Sequence, residues 1–217
     1  MHLRCGYRLQ KNGPLIRTTG SLIAHTGIRL KARPALRTTE SLTALEPGQD
    51  SKMNDELRSI LVGTAGLSAG AVIALLLTLT RRSSPSVNER EVRSVLRGAA
   101  LAIVAQSGHF AEEYATGFHV RFPELLGLAP WPTIFFLTFN LCWLVIWILS
   151  LWGVSKRRRL AFFPLWFLAV AGLANGVAHL GFSLRVGGYF PSLFTSPLIG
   201  AAGAILARRL ARLTAER

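Results

Sequence analysis

Two short stretches of this 217-residue chain combine residue types and spacings that could do chemistry. One is His109-Phe110-Ala111-Glu112-Glu113, with Gln106 a turn earlier, and the other is the pair Asn175 and His179. On a helix, positions i, i+3 and i+4 share one side, so the first three polar residues project together and so do the second two. Two neutral imidazoles and two carboxylates balance one divalent cation, and mixed His/Glu ligation suits Zn, Fe or Mn. In that reading His109, Glu112, Glu113 and His179 are metal ligands, Glu113 serves as ligand or general base, and Asn175 orients water or substrate. The same groups also fit a metal-free site, in which desolvation and a like-charged neighbour keep one Glu protonated against His or Asn. A third reading is a structural polar lock or a water-lined face. Spacing alone does not choose, since HxxEE is neither the zincin HExxH nor the paired ExxH of di-iron bundles.

The segments that must position these groups are apolar. Only 17% of the residues are charged, against about 25% in soluble domains, and the charges gather in the first 58 residues and in short runs between apolar stretches. That is the layout of a multi-spanning membrane protein. Residues 61–80, 98–118, 131–154, 160–184 and 194–210 are the candidate spans. The second is ambiguous, because it carries Gln106, His109, Glu112 and Glu113. Parity decides it. Basic clusters follow the first, third and fifth segments, and if all five cross, thirteen of the sixteen basic residues from Met53 onward share one side. The positive-inside rule then puts the N-terminus outside and the C-terminus in the cytoplasm. The expected fold is an all-α membrane protein, a bundle of about five transmembrane helices, with a bacterial cell membrane as the expected setting.

Depth brings the polar groups together. A carboxylate at mid-bilayer costs about 2.5–3.5 kcal/mol on insertion scales, so Glu112 and Glu113 must face the bundle interior and find partners. At about 1.5 Å per residue, both polar groups fall in the outer half of the membrane, with Asn140 near the same level. Gly172 and Gly176 flank Asn175 and allow close helix approach. The site is therefore expected to open toward the outer leaflet or the extracytoplasmic water.

Other features have plainer readings. Residues 1–52 carry nine Lys/Arg against three acids, with one near-copy, Arg17-Thr18-Thr19 and Arg37-Thr38-Thr39. They read as a basic leader: a targeting peptide, a disordered tail, or sequence upstream of a start at Met53, which would leave 53–217 as the single transmembrane domain. The net charge of +14 follows the membrane-flanking arginines and does not indicate nucleic acid. Cys5 and Cys142 imply no disulfide framework, and Cys142 reads as a packing residue. Trp131 reads as an interfacial anchor, His119 as a solvated interfacial residue or a further ligand, and Tyr189-Phe190-Pro191 as a tight turn or a lid. Gly66 and Gly70 suit close helix packing without by themselves implying a dimer.

The run His109-Phe110-Ala111-Glu112-Glu113, followed by further spans, Asn175…His179 and Gly188-Tyr189-Phe190-Pro191, resembles the HXXEE-motif family of small integral membrane proteins. The resemblance covers about residues 95–212. It implies that His109, Glu112 and Glu113 matter and implies no reaction. Three functions stay open. One is a metal-dependent membrane enzyme acting on a lipid or other apolar substrate. The second is a proton-coupled transporter or channel using the Glu/His relay, which five spans without an inverted repeat disfavour. The third is a non-catalytic membrane assembly protein.

Overall fold

Helix boundaries in the computed structural model, which describes residues 47–81 and 88–215, follow local chemistry. Helix α1 (Pro47–Thr80) opens on a proline, whose fixed φ and missing N–H suit the first turn. It begins upstream of Met53, so residues 47–52, counted with the leader above, are helical. Residues 1–46 of that leader lie outside the described residues.

Helix α2 (Glu89–Ala115) is capped by Asn88, whose side chain accepts from the Arg90 N–H at 3.0 Å, and Glu89 and Glu91 lie in its first turn. Gly117 then takes φ 73°, a left-handed turn natural to glycine, and starts the short helix α3 (Phe118–Leu125). Helix α4 (Thr133–Ser155) follows Pro132, and after a single 3-10 turn (Arg159–Ala161) comes α5 (Phe162–Val186). Gly187, at φ 68°, closes α5, and the Gly188 N–H bonds back to the Ser183 carbonyl at 3.1 Å. Helix α6 (Ser196–Leu213) starts with proline in its first turn.

Among the described residues the fold is all-helical, with six α-helices and no strand. Each of the five apolar segments is helical, but only three stretches are both long and apolar enough to cross a membrane: Asp50–Thr80, Thr133–Ser155 and Arg159–Val186. The polar stripe and charged first turns of α2, and the arginines Arg208, Arg209 and Arg212 of α6, separate those two helices from the rest. Helix α3 was not expected, because eight residues containing Pro123 give no long apolar signal.

The outward surface is oily. Val62, Val72 and Leu76 on α1, Val104 on α2, Val145 and Ile148 on α4, and Val177 on α5 are all exposed, while His109, Glu113 and His179 are buried. Such polarity suits a lipid surround rather than water. Cys142, expected to pack inside, lies exposed on α4.

The tightest pairing is α5 on α6, where glycines let the backbones meet. A Cβ on Gly176 would lie 2.8 Å from the Gly200 Cα, and one on Gly203 would lie 2.8 Å from the Ala169 carbonyl oxygen. Helix α2 packs on α6 and α4, and α1 packs on α5. An aromatic cluster of Phe118, Trp131, Phe136 and Phe190 gathers beside the buried histidines. Trp131, expected at the interface, is buried against Gly63 of α1.

Candidate metal centre

Helix α2 supplies His109 and Glu113, one turn apart, and α5 supplies His179. His109 Nε2 and His179 Nε2 each lie 3.5 Å from the same atom, Glu113 Oε1. The two imidazoles meet edge to face, with centroids 4.8 Å apart at 87°. One potential ligand atom from each of the three residues falls within 4.8 Å of the others. Exposure is 0% for His109, 1% for His179 and 6% for Glu113.

The opposite ring nitrogens are held by the segment between α5 and α6. His179 Nδ1 lies 2.6 Å from the Pro191 carbonyl oxygen. A carbonyl only accepts, so Nδ1 carries the proton, and Nε2 of the neutral ring presents a lone pair. His109 Nδ1 lies 3.0 Å from Thr195 Oγ1, a hydroxyl that can donate or accept. With Nδ1 protonated against that oxygen, His109 Nε2 presents a lone pair, and it is buried with no hydrogen-bond partner.

In those tautomers three acceptors converge with no donor among them, which is unfavourable unless a cation lies there. Distance separates the two kinds of cation. A shared proton draws an imidazole and a carboxylate to about 2.7–2.9 Å. A metal with bonds near 2.0–2.1 Å at tetrahedral angles holds its ligand atoms about 3.3 Å apart. The two 3.5 Å separations are longer than the first case allows and nearer the second, with all three ligand atoms within 4.8 Å of one another. His109, Glu113 and His179 could hold a metal ion, as a two-His, one-carboxylate set with coordination positions left over.

Glu112, read from the sequence as a fourth ligand, lies outside that convergence. Its carboxylate accepts from the Tyr189 hydroxyl at 2.8 Å, the Thr195 N–H at 2.9 Å and the Phe194 N–H at 3.3 Å. Adjacent residues on a helix point about 100° apart, so Glu113 reaches α5 while Glu112 reaches the α5–α6 segment. With one carboxylate instead of two, a divalent ion and its ligands sum to +1 rather than zero. Burial, and then the bond to Glu112, push the Tyr189 phenol above its usual range, which keeps it a proton donor.

Asn175 is half-buried one turn before His179 and lines a cavity of about 220 Å³ that also reaches Glu113, His179, Gln106 and Asn140. Asn140 Nδ2 donates to the Phe136 carbonyl at 3.0 Å, within its own helix. His119 is not part of the centre: its Nε2 lies 3.2 Å from Thr133 Oγ1 and its ring stacks on Phe136. Tyr189 and Pro191 are more than a turn, since each bonds a residue of the cluster or its neighbour.

Thr195, Ser192 and Ser183 were not singled out in the sequence. Ser192, at φ 64°, donates to the His109 carbonyl at 3.2 Å, and Ser183 Oγ accepts from the Phe190 N–H at 3.2 Å. The Thr195-Ser196-Pro197 start signal of α6 could have flagged Thr195. Ser192 carries no comparable signal.

Around this polar knot the walls are aromatic. The His179 ring has Phe118 at 5.1 Å, Phe182 at 5.8 Å and Phe190 at 6.5 Å between centroids. Such apolar walls lower the local dielectric and strengthen charge interactions beside them. No family model, curated protein or solved structure matches this chain.

Proposed function

We propose that this chain is a five-span membrane protein in which His109, Glu113 and His179 bind one divalent Zn, Fe or Mn ion, and that it is a metal-dependent enzyme acting on a lipid or other apolar substrate. One observation carries the reading: two buried histidines and a buried glutamate bring one potential ligand atom each within 4.8 Å of the others at the polar end of an aromatic cavity. A divalent ion there would supply Lewis acidity. The chain's own groups do the rest. Pro191 and Thr195 fix the two imidazole tautomers from the far side, as outer-sphere partners of metal-binding histidines commonly do. Glu112 and Tyr189 hold the segment that carries both partners. Asn175 offers a carboxamide to substrate or water, and Phe118, Phe182 and Phe190 exclude bulk water.

Lengths and charge support five spans. At 1.5 Å per residue, α2 is about 40 Å long and α6 about 27 Å, against a hydrocarbon core of about 30 Å. The arginines of α6 then sit at its cytoplasmic end, with those flanking α1 and α4 on the same side. The resemblance to the HXXEE-motif family belongs to this reading, with His109 and Glu113 as ligands and Glu112 as the anchor of the α5–α6 segment.

The test is metal content. The full chain, purified in mild detergent, is analysed by elemental mass spectrometry beside a His109→Ala/His179→Ala variant. One transition-metal ion per chain, absent from the variant, is the expected result. A metal-free wild type from cells grown with added Zn, Fe and Mn would overturn the reading. The site would then be a proton-sharing carboxylate, to be examined by proton flux in liposomes.

A further inference from the structure

Three carboxamides line the cavity outside the ligand set, and two of them, Gln106 and Asn175, are not tied to their own helix as Asn140 is. Gln106 is only 6% exposed, and its side chain lines the same cavity as Asn175. Among the described residues neither amide makes a hydrogen bond within the chain. Both amides line the open space of the cavity, where a ligand with a polar group at that level can hydrogen-bond them. The level follows from the helices. Gln106 lies three residues before His109 and Asn175 four before His179, which puts both about 5–6 Å inward of the metal centre.

Farther inward the walls turn aromatic, through Trp143, Trp147 and Phe167. From Asn175 to Phe167 the cavity follows α5 for about 12 Å. On the α1 side the wall is glycine. A Cβ on Gly66 would meet nothing within 4 Å, and Trp131 rests on Gly63 and closes the outer end. Helix α1 packs on α5 and α3 while α4 packs on α2 and α5, so the seam between α1 and α4 is the side that opens to the bilayer.

We propose that this cavity binds a single long hydrocarbon chain ending in an uncharged oxygen function, such as an ester, amide, aldehyde or alcohol. Gln106 and Asn175 hold the oxygen function beside the metal centre, and the chain lies along Trp143, Trp147 and Phe167, admitted sideways between α1 and α4. This names the substrate class of the enzyme proposed above and rests on that reading. About 220 Å³ is room for one chain inside the cavity. The two carboxamides donate and accept hydrogen bonds without carrying charge, which matches a neutral oxygen function.

Tryptophan quenching tests it. The full chain with Trp152→Phe, which removes a lipid-facing fluorophore that is 58% exposed, is placed in nanodiscs. It is titrated with a monoacylglycerol brominated on its chain, and separately with a brominated diacyl phosphatidylcholine. Saturable quenching by the monoacylglycerol alone is expected. Gly66→Phe, which fills the slot without touching the ligands, should weaken that binding at least tenfold, and Gln106→Leu about tenfold, the loss of one good polar contact. Metal content is read on the same samples. Equal quenching by both lipids, or wild-type binding by both Gly66→Phe and Gln106→Leu, overturns the slot whatever the metal content. Monoacylglycerol binding that is intact in a metal-free protein keeps the slot and removes the enzyme reading. Should Gly66→Phe fail to fold, Gln106→Leu decides alone.

Discussion

Glu112 and Glu113 are neighbours in sequence with opposite roles, and substitution should separate them. Glu113→Gln keeps the shape and removes the anionic ligand, so metal affinity should fall by more than about 100-fold, beyond the range seen for outer-sphere changes. Glu112→Gln should leave the metal bound but loosen the α5–α6 segment, because three donors now meet a neutral amide. Its expected cost is about 1–3 kcal/mol, read as a lower melting midpoint in detergent. If Glu112→Gln strips the metal as thoroughly as Glu113→Gln, both carboxylates bind the ion and the division of roles is wrong. Thr195→Val tests the outer shell: without the hydroxyl that orients His109, metal affinity should drop about 10–100-fold in a chelator competition. Helix periodicity and depth made His109, Glu113, Asn175 and His179 legible as one cluster, since both are arithmetic on the sequence. Neither distinguishes Glu112 from Glu113, because i+3 and i+4 fall on the same broad face. Thr195 meets His109 across 86 positions, and no periodicity reports a contact between a helix and a distant segment.

His179 is placed at the level of helices by the contact of α5 with α6. Gly176 and Gly203 leave no space for a side chain, while a Cβ on Gly181 would meet nothing within 4 Å. Gly176→Leu should therefore push the helices apart at a cost of about 1–3 kcal/mol and carry His179 away from Glu113, lowering the melting midpoint and the metal content together. Gly181→Leu, on the same helix, should change neither. Equal effects from the two would mean that helix propensity, not backbone approach, governs this pair. Long apolar runs made α1, α4 and α5 legible, while α2, interrupted by polar residues, and the short α6 needed the parity of the basic clusters. Helix α3 was not legible, because eight residues with an internal proline have no amphipathic period long enough to detect. The true start of α1 at Pro47 was obscured too, since its first turns are polar and resemble the basic stretch before them.

For the whole molecule the decisive issue is whether α2 crosses the bilayer, because only a crossing α2 buries the centre inside the membrane. Hydropathy alone leaves α2 out, as the residues that would do the chemistry are the ones that spoil its apolar signal. Charge asymmetry argues the other way. Were α2 to lie on the surface, the run Lys156-Arg157-Arg158-Arg159 would sit on the opposite side from Arg81 and Arg90, against the positive-inside rule. Packing agrees with charge, because α2 is gripped by both α4 and α6 and turns His109 and Glu113 inward, an arrangement suited to a bundle interior. Single cysteines in a background lacking Cys5 and Cys142 turn this into a measurement. Gly117→Cys and Gly188→Cys should react with a membrane-impermeant maleimide on intact cells, while Asn88→Cys and Arg157→Cys should react only after permeabilisation. Labelling of positions 88 and 117 from the same side would place α2 on the surface. The centre would then face water rather than hydrocarbon, and both the shielding by Phe118, Phe182 and Phe190 and the sideways admission of a lipid chain would lose their basis.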